Sequence, residues 1–221
     1  AVHGVNSLIV ADQIKAVMDD IKPDAVKIGM VNDCATIHVI ADTLMHYPKC
    51  PIVIDPIMVS TSGFNLMKQD ALELFCHSLL PMSTLLTPNL PEAEILSNMK
   101  IYTINDMDIA AQRILSLGCK AVLIKGGHAK GDRKVDRLYA TNEGVQTFTH
   151  KTIDTRNTHG TGCTLSSAIT SFIARGLELT DAIAAAKNYL SQALEAGKDI
   201  HIGEGHGPVN HLFNPEKQIT L

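Results

Sequence analysis

The chain is an alternation of short, β-branched apolar runs with longer segments of helical period, and that rhythm leaves few folds open. A helix capped by Asn6 or Ser7 is expected from the apolar spacing of Ile9, Val10, Ile14, Val17, Met18 and Ile21, with Pro23 as its stop. A strand over 25–30 follows, then a helix over 33–46, and Pro48 and Pro51 frame the turn into Ile52-Val53-Ile54-Asp55. A run of that kind suits a strand buried on both faces of a parallel sheet. The unit repeats: a helix over 68–78, a strand over 84–87, and Pro91 at the first position of the next helix. Asn105 or Asp106 is expected to cap a helix ending at Gly118, before a strand over 121–125. Segments 137–140 and 145–148 flank Asn142-Glu143-Gly144 as an antiparallel hairpin, and helices over 161–175 and 180–196 close the chain. The expectation is an α/β fold, one domain over 1–221, with a mostly parallel central sheet and helices on both faces.

Composition removes whole classes of function. The chain is 45% hydrophobic and 19% charged, enough to fill a core, and without Trp that core is built from aliphatic residues and Met. Net charge is −4 and no basic block is present, which argues against nucleic acid or an anionic membrane as partner. No apolar run reaches the ~20 residues of a membrane span, and no signal peptide opens the chain. The five cysteines, Cys34, Cys50, Cys76, Cys119 and Cys163, are scattered without metal spacing or pairing, as in a reducing cytoplasm.

Parallel sheets bind ligands beyond the carboxyl ends of their strands. Here those ends read Gly29-Met30, Asp55-Pro56, Thr87-Pro88-Asn89 and Lys125-Gly126-Gly127-His128, all polar or glycine-containing directly after apolar runs. Their agreement points to a site. In Gly160-Thr161-Gly162-Cys163 the glycines permit a tight turn and close approach of a ligand, and the helix that follows presents free amides and a partial positive charge. The turn reads equally as a plain helix cap or as an anion site. Cys163, a small packing residue on one reading, is on the other a thiol in a setting that favours thiolate, able to accept a proton from an attacking hydroxyl. Asp55 can hold a metal, bind a substrate amine or hydroxyl, or cap a turn. Glu92 suits a helix N-terminus and also suits Mg²⁺, directly or through water. Lys125 is either a solvated strand end or a phosphate contact. Segment 129–134 reads as a mobile loop beside the nucleotide.

Together these segments resemble the ribokinase-like superfamily, and more closely its hydroxymethylpyrimidine phosphate kinase branch, allied to the pyridoxal kinases. The resemblance rests on Lys27-Ile28-Gly29-Met30, Asp55-Pro56-Ile57-Met58, the run from Thr87 to Ala93, Lys125-Gly126-Gly127-His128, the run from Asn157 to Cys163, and Gly205-His206-Gly207-Pro208-Val209. It implies a three-layer sandwich and ATP-dependent phosphorylation of hydroxymethylpyrimidine and its monophosphate with Mg²⁺, in a cytoplasmic homodimer. It assigns Cys163, an Asp in most of the superfamily, to activation of the substrate hydroxyl. Gly160, Thr161 and Gly162 become the anion hole for the transferring phosphoryl group. Met30 and Ile57 flank the pyrimidine, with Asp55 between substrate and metal, Glu92 in Mg²⁺ placement, and Lys125, Lys187 and Asn89 on the nucleotide side. One departure stands out: nothing in residues 1–24 resembles the family's Gly/Ser-rich first loop, so an N-terminal βαβ portion is expected to be absent. The alternatives are a pyridoxal kinase, a cysteine hydrolase built on Cys163 and His159, and a non-catalytic domain that binds a ligand.

Overall fold

The structure, a computed structural model, describes residues 3–58, 67–126, 132–141 and 144–215. Its centre is a six-stranded sheet in sequential order: β1 (Val26–Ile28), β2 (Ile52–Ile54), β3 (Leu85–Leu86), β4 (Ala121–Ile124), β5 (Arg133–Ala140) and β6 (Gln146–Lys151). The first four are parallel, and β5 and β6 run antiparallel as a hairpin at one edge.

Two-residue alternation sorts the strand side chains between two cores. Ile52, Ile54, Leu86, Val122, Ile124 and Tyr139 enter one core, with helices α1 (Ser7–Asp20), α2 (Cys34–Met45), α4 (Leu90–Ser97) and α5 (Ile104–Leu115). The same core takes the segment that runs from α3 (Gln69–Leu74) through a π-turn at Phe75–Leu79 to a 3₁₀ turn at Leu80–Met82. Val53, Leu85, Ala121, Leu123 and Leu138 point the other way, against α6 (Thr161–Ala174) and α7 (Leu179–Gly197). The layers are therefore helix, sheet, helix, as the sequence pattern requires. The chain keeps to one face until the hairpin and then crosses to the other, which brings the start of α6 over β1 and β2.

Local signals explain most boundaries. The Asn6 carboxamide accepts the Leu8 amide, and the Asp33 carboxylate accepts the Thr36 amide and hydroxyl. Pro91 occupies the second position of α4, because Asn89 is the N-cap. For α5 the cap is Thr103, in place of Asn105 or Asp106: Asp106 sits three residues in and returns its carboxylate to the Thr103 amide, a reciprocal box that only this register allows. The helix ends at Leu115, and the chain then turns through Gly118 at φ +108°. The hairpin is longer than its apolar residues indicate. β5 begins at Arg133, so Arg133 and Lys134, expected in a loop, are strand, while 129–131 lie outside the described residues.

β4 is buried along its whole length and sits between parallel β3 and antiparallel β5. Leu123→Ala is expected to cost about 2–5 kcal/mol, the range for emptying a fully buried leucine site. Urea denaturation of the full chain checks this.

Candidate active site

The carboxyl ends of β2, β3 and β4 converge on one carboxylate. Asp55 follows β2 and is 2% exposed, so its charge must be met inside the protein. Lys125, directly after β4, donates to Asp55 Oδ1 at 3.0 Å, and Thr87, directly after β3, donates to the same oxygen at 3.2 Å. From the opposite helical layer the Ser166 hydroxyl lies 3.4 Å from Asp55 Oδ2. The ladder carries these residues past the strands: the Asp55 amide bonds Ile28 O, the Thr87 amide bonds Ile54 O and the Lys125 amide bonds Pro88 O. Backbone pairing thus fixes where the three side chains meet.

The glycine turn arrives at the same place. Gly160 is the N-cap of α6 at φ +80°, a conformation that a side chain rarely tolerates, and no side chain caps the helix. Among the described residues the Gly162 and Cys163 amides are therefore left for a ligand, while the Thr161 amide donates to Thr158 O at 3.3 Å. A Cβ on Gly162 would stand 3.5 Å from Lys125 Nζ and 3.7 Å from Asp55 Oδ2, which places the bare first turn of α6 against the ion pair. Cys163, one residue on, is exposed. Among the described residues its thiol makes no hydrogen bond and none links it to the His159 ring, so the arrangement gives no support to a cysteine hydrolase.

The turn is held from behind by the end of the chain. Asn157 is buried, and its amide nitrogen donates to Gly197 O at 2.7 Å and Ile200 O at 2.6 Å. His159 pairs with the segment at Pro208, its amide donating to Gly207 O, and Arg156 donates to Gly203 O. Gly205 to Val209, noted in the sequence as a motif, is thereby a brace beneath the glycine turn.

Glu92 is 4% exposed and closes a capping box: its Oε2 accepts the Asn89 amide at 2.8 Å while the Asn89 side chain accepts the Glu92 amide. Burial pushes its carboxyl above the ordinary range. The Lys125 charge and the amides of Asn89 and Met58 pull it down, and the Asp55 charge raises it again. Glu92, Lys125 and Asp55 therefore share one electrostatic site. Among the described residues no three His, Cys, Asp or Glu side chains cluster as a metal cage. Two carboxylates beside the glycine turn nevertheless fit Mg²⁺, which keeps most of its shell as water and phosphate oxygen.

The remaining expected residues are placed as follows. Met30 is 41% exposed after β1, and Ile57 is half-buried after β2. Asn89 pairs with Lys125 at the sheet edge, with its side chain committed to the α4 cap. Lys187 is buried on α7, and its ammonium is taken up by Asp136 of β5. Gly127 and His128 lie outside the described residues. Thr87 entered the sequence reading only as part of a strand-end motif, and Ser166 and Asp136 were given no role there. The first two carry only the weak signal of a hydroxyl in a motif, and Asp136 sits in a charged stretch that reads as solvated.

This convergence at the strand ends, with helices on both faces, defines a ribokinase-like kinase, a phosphotransferase. The phosphomethylpyrimidine kinase family matches the chain over residues 1–210. A hydroxymethylpyrimidine/phosphomethylpyrimidine kinase of Rhizobium meliloti is 43% identical over 96% of this chain and 79% of its own length. A bifunctional thiamine biosynthesis protein of Geobacter sulfurreducens is 42% identical, and the chain spans 43% of it. Among solved structures, phosphomethylpyrimidine kinase from Clostridium difficile 630 superposes with a TM-score of 0.75 at 42% identity, covering 88% of this chain and 79% of that one. The pyridoxal kinase of Staphylococcus aureus in complex with AMP-PCP gives 0.86 at 30% identity, covering 96% and 76%. The chain belongs to the phosphomethylpyrimidine kinase family. Among the described residues no helix is long and apolar enough to cross a membrane.

A carboxyl raised by burial holds its proton more tightly folded than unfolded, so its contribution to stability falls as pH climbs through that range. Glu92→Gln keeps the cap acceptor and removes the charge. The variant is expected to be at least as stable as the parent at pH 7.5, with the two converging toward pH 4, in urea titrations. A gap that widens on acidification contradicts this.

Proposed function

We propose that the protein phosphorylates the hydroxymethyl group of 4-amino-5-hydroxymethyl-2-methylpyrimidine, and then its monophosphate, using ATP. The observation that carries the reading is the meeting of the uncapped α6 turn with the Lys125–Asp55 pair: Gly162 offers no side chain where Lys125 Nζ and Asp55 Oδ2 stand 3.5 and 3.7 Å from the position a Cβ would take. Such a site offers backbone donors and one cation to an oxyanion, without a side chain to block in-line approach. Family membership and the names of the relatives supply the substrate class.

The roles follow from position. The amides at Gly160 and Gly162 receive charge as it builds on the transferring phosphoryl oxygens, and that of Thr161 joins them by exchanging Thr158 O for the ligand. Cys163 Sγ, exposed one residue on, takes the proton of the attacking hydroxyl. Lys125 holds its ammonium in place on Asp55 and turns it to the phosphates. Mg²⁺, when bound with nucleotide, neutralises phosphate charge, and Glu92 and Asp55 are the residues that would hold it, directly or through water. Met30 and Ile57, after β1 and β2, are assigned to the faces of the pyrimidine, and Asn89 to the nucleotide side. As in the sequence reading, the assembly is taken to be a homodimer in the cytoplasm.

A second reading, pyridoxal kinase, is favoured by one observation: the Staphylococcus aureus pyridoxal kinase superposes at 0.86. Both substrates are hydroxymethyl-bearing aromatic rings. Turnover of the pyrimidine, its monophosphate and pyridoxal, followed by ADP release, separates the two. Turnover of pyridoxal alone overturns the pyrimidine assignment.

Cys163→Ala is expected to lower kcat about 10²–10⁴-fold with little change in the KM for ATP, the range for loss of a general base. Cys163→Asp, which restores a proton acceptor, is expected to recover part of that loss. Gly162→Ala should leave thermal stability unchanged or raised, since alanine favours helix, yet cut turnover at least tenfold by placing a methyl where the phosphoryl group passes.

A further inference from the structure

Asp136 is a buried carboxylate for which the proposed chemistry has no use. It lies on β5, 3% exposed, and both of its oxygens are engaged. Oδ1 accepts the Gly126 amide at 2.9 Å, and Oδ2 pairs with the Lys187 ammonium from α7, whose side chain is 9% exposed. Gly126 is the first residue after Lys125. The β4–β5 ladder runs Ala121↔Ala140 to Ile124↔Arg137, so a continued ladder would bring Gly126 opposite Val135. A Cβ on Gly126 would collide with the Val135 carbonyl, so the two backbones are already in close approach there. The amide turns to the Asp136 side chain instead of a ladder partner. That single bond fixes the Gly126 peptide, directly beside the lysine that faces the glycine turn.

The other charged groups around the pair leave it intact. His150 and Lys134 stand opposite each other on β6 and β5. Burial and the nearby Lys187 charge hold the His150 imidazole below its ordinary range, so it is neutral at neutral pH and does not compete for the carboxylate.

We infer that Asp136 is a positioning residue for the nucleotide side of the site, fixing the backbone at Gly126, directly after Lys125, and that Lys187 is its buried counter-ion and makes no contact with bound nucleotide. The inference rests on the kinase reading for what the Gly126 backbone serves. It revises the role that resemblance gives Lys187. A buried carboxylate cannot hold one amide without a partner for its charge, and α7 supplies that partner across the layer interface.

Two double variants of the full chain separate the parts. In Asp136→Asn with Lys187→Met both charges are gone but an acceptor for Gly126 remains. In Asp136→Ala with Lys187→Met the acceptor is gone as well. The readouts are the thermal midpoint, Mg·ATP affinity by calorimetry, and exchange protection of the Gly126 amide by NMR. Each single variant, Asp136→Asn or Lys187→Met, is expected to lower the midpoint by about 5–15 °C, as removal of one partner of a buried pair does. The Asn/Met double variant should recover at least half of that loss and bind Mg·ATP within about threefold of the parent. The Ala/Met variant should lose Gly126 protection and bind about tenfold more weakly. Weak binding by the Asn/Met variant with its midpoint recovered would make Lys187 a nucleotide contact and overturn the counter-ion assignment. Equal affinity in the two double variants would reduce Asp136 to a stability element and overturn the positioning role. If the parent itself binds no Mg·ATP, the kinase reading falls. The midpoints and the Gly126 amide then still decide the counter-ion and the hold on Gly126.

Discussion

The candidate site is organised by one buried ion pair, Asp55 with Lys125. A carboxylate at 2% exposure is costly unless its charge is answered, and here lysine, threonine and serine come to it from β4, β3 and α6. Removing either charge strands the other, a loss of about 3–5 kcal/mol in comparable settings. The pair thereby fastens three strand ends and one helix to a common point. It also keeps an ammonium next to the glycine turn at the start of α6. Positioning is most of what phosphoryl transfer asks of a protein, and this interaction supplies it from the sheet rather than from loops.

The layer arrangement explains why the glycine turn can reach that point. Helices between the parallel strands stay on one face, and only after the hairpin does the chain cross over. The start of α6 is then aimed down at the carboxyl edge from the second layer, with Asn157 and the 197–209 segment fixing its approach. Two features distant in sequence thus serve one geometry. The strand ends provide side chains, and the late helix provides bare amides.

Much of this was legible in the residues. Ile52-Val53-Ile54 and Ala121-Val122-Leu123-Ile124 announce two-faced buried strands, and Asn6 and Asp33 are caps by type and position. The site was visible as a coincidence of polar strand ends with a glycine turn. What stayed hidden depended on partners far away. Resemblance alone put Lys187 on the nucleotide side, because its carboxylate lies 51 residues earlier, in a strand that the apolar pattern marks only from Arg137 onward. Thr103, Asn105 and Asp106 are all good caps, and only the reciprocal bond to the third helical position chose among them. The π-turn at Phe75–Leu79 lies within an uninterrupted helical pattern and leaves no local mark.

The burial of the thiols carries a consequence for reactivity. Cys34, Cys50, Cys76 and Cys119 are all held above the ordinary thiol range, chiefly by burial, Cys119 at about 11, so at neutral pH they remain protonated and poor nucleophiles. Cys163 is the exposed one, seated at the mouth of the site. An alkylating reagent or a mild oxidant therefore meets that sulfur first, and the fold has concentrated its susceptibility to electrophiles at the atom assigned to take the substrate's proton.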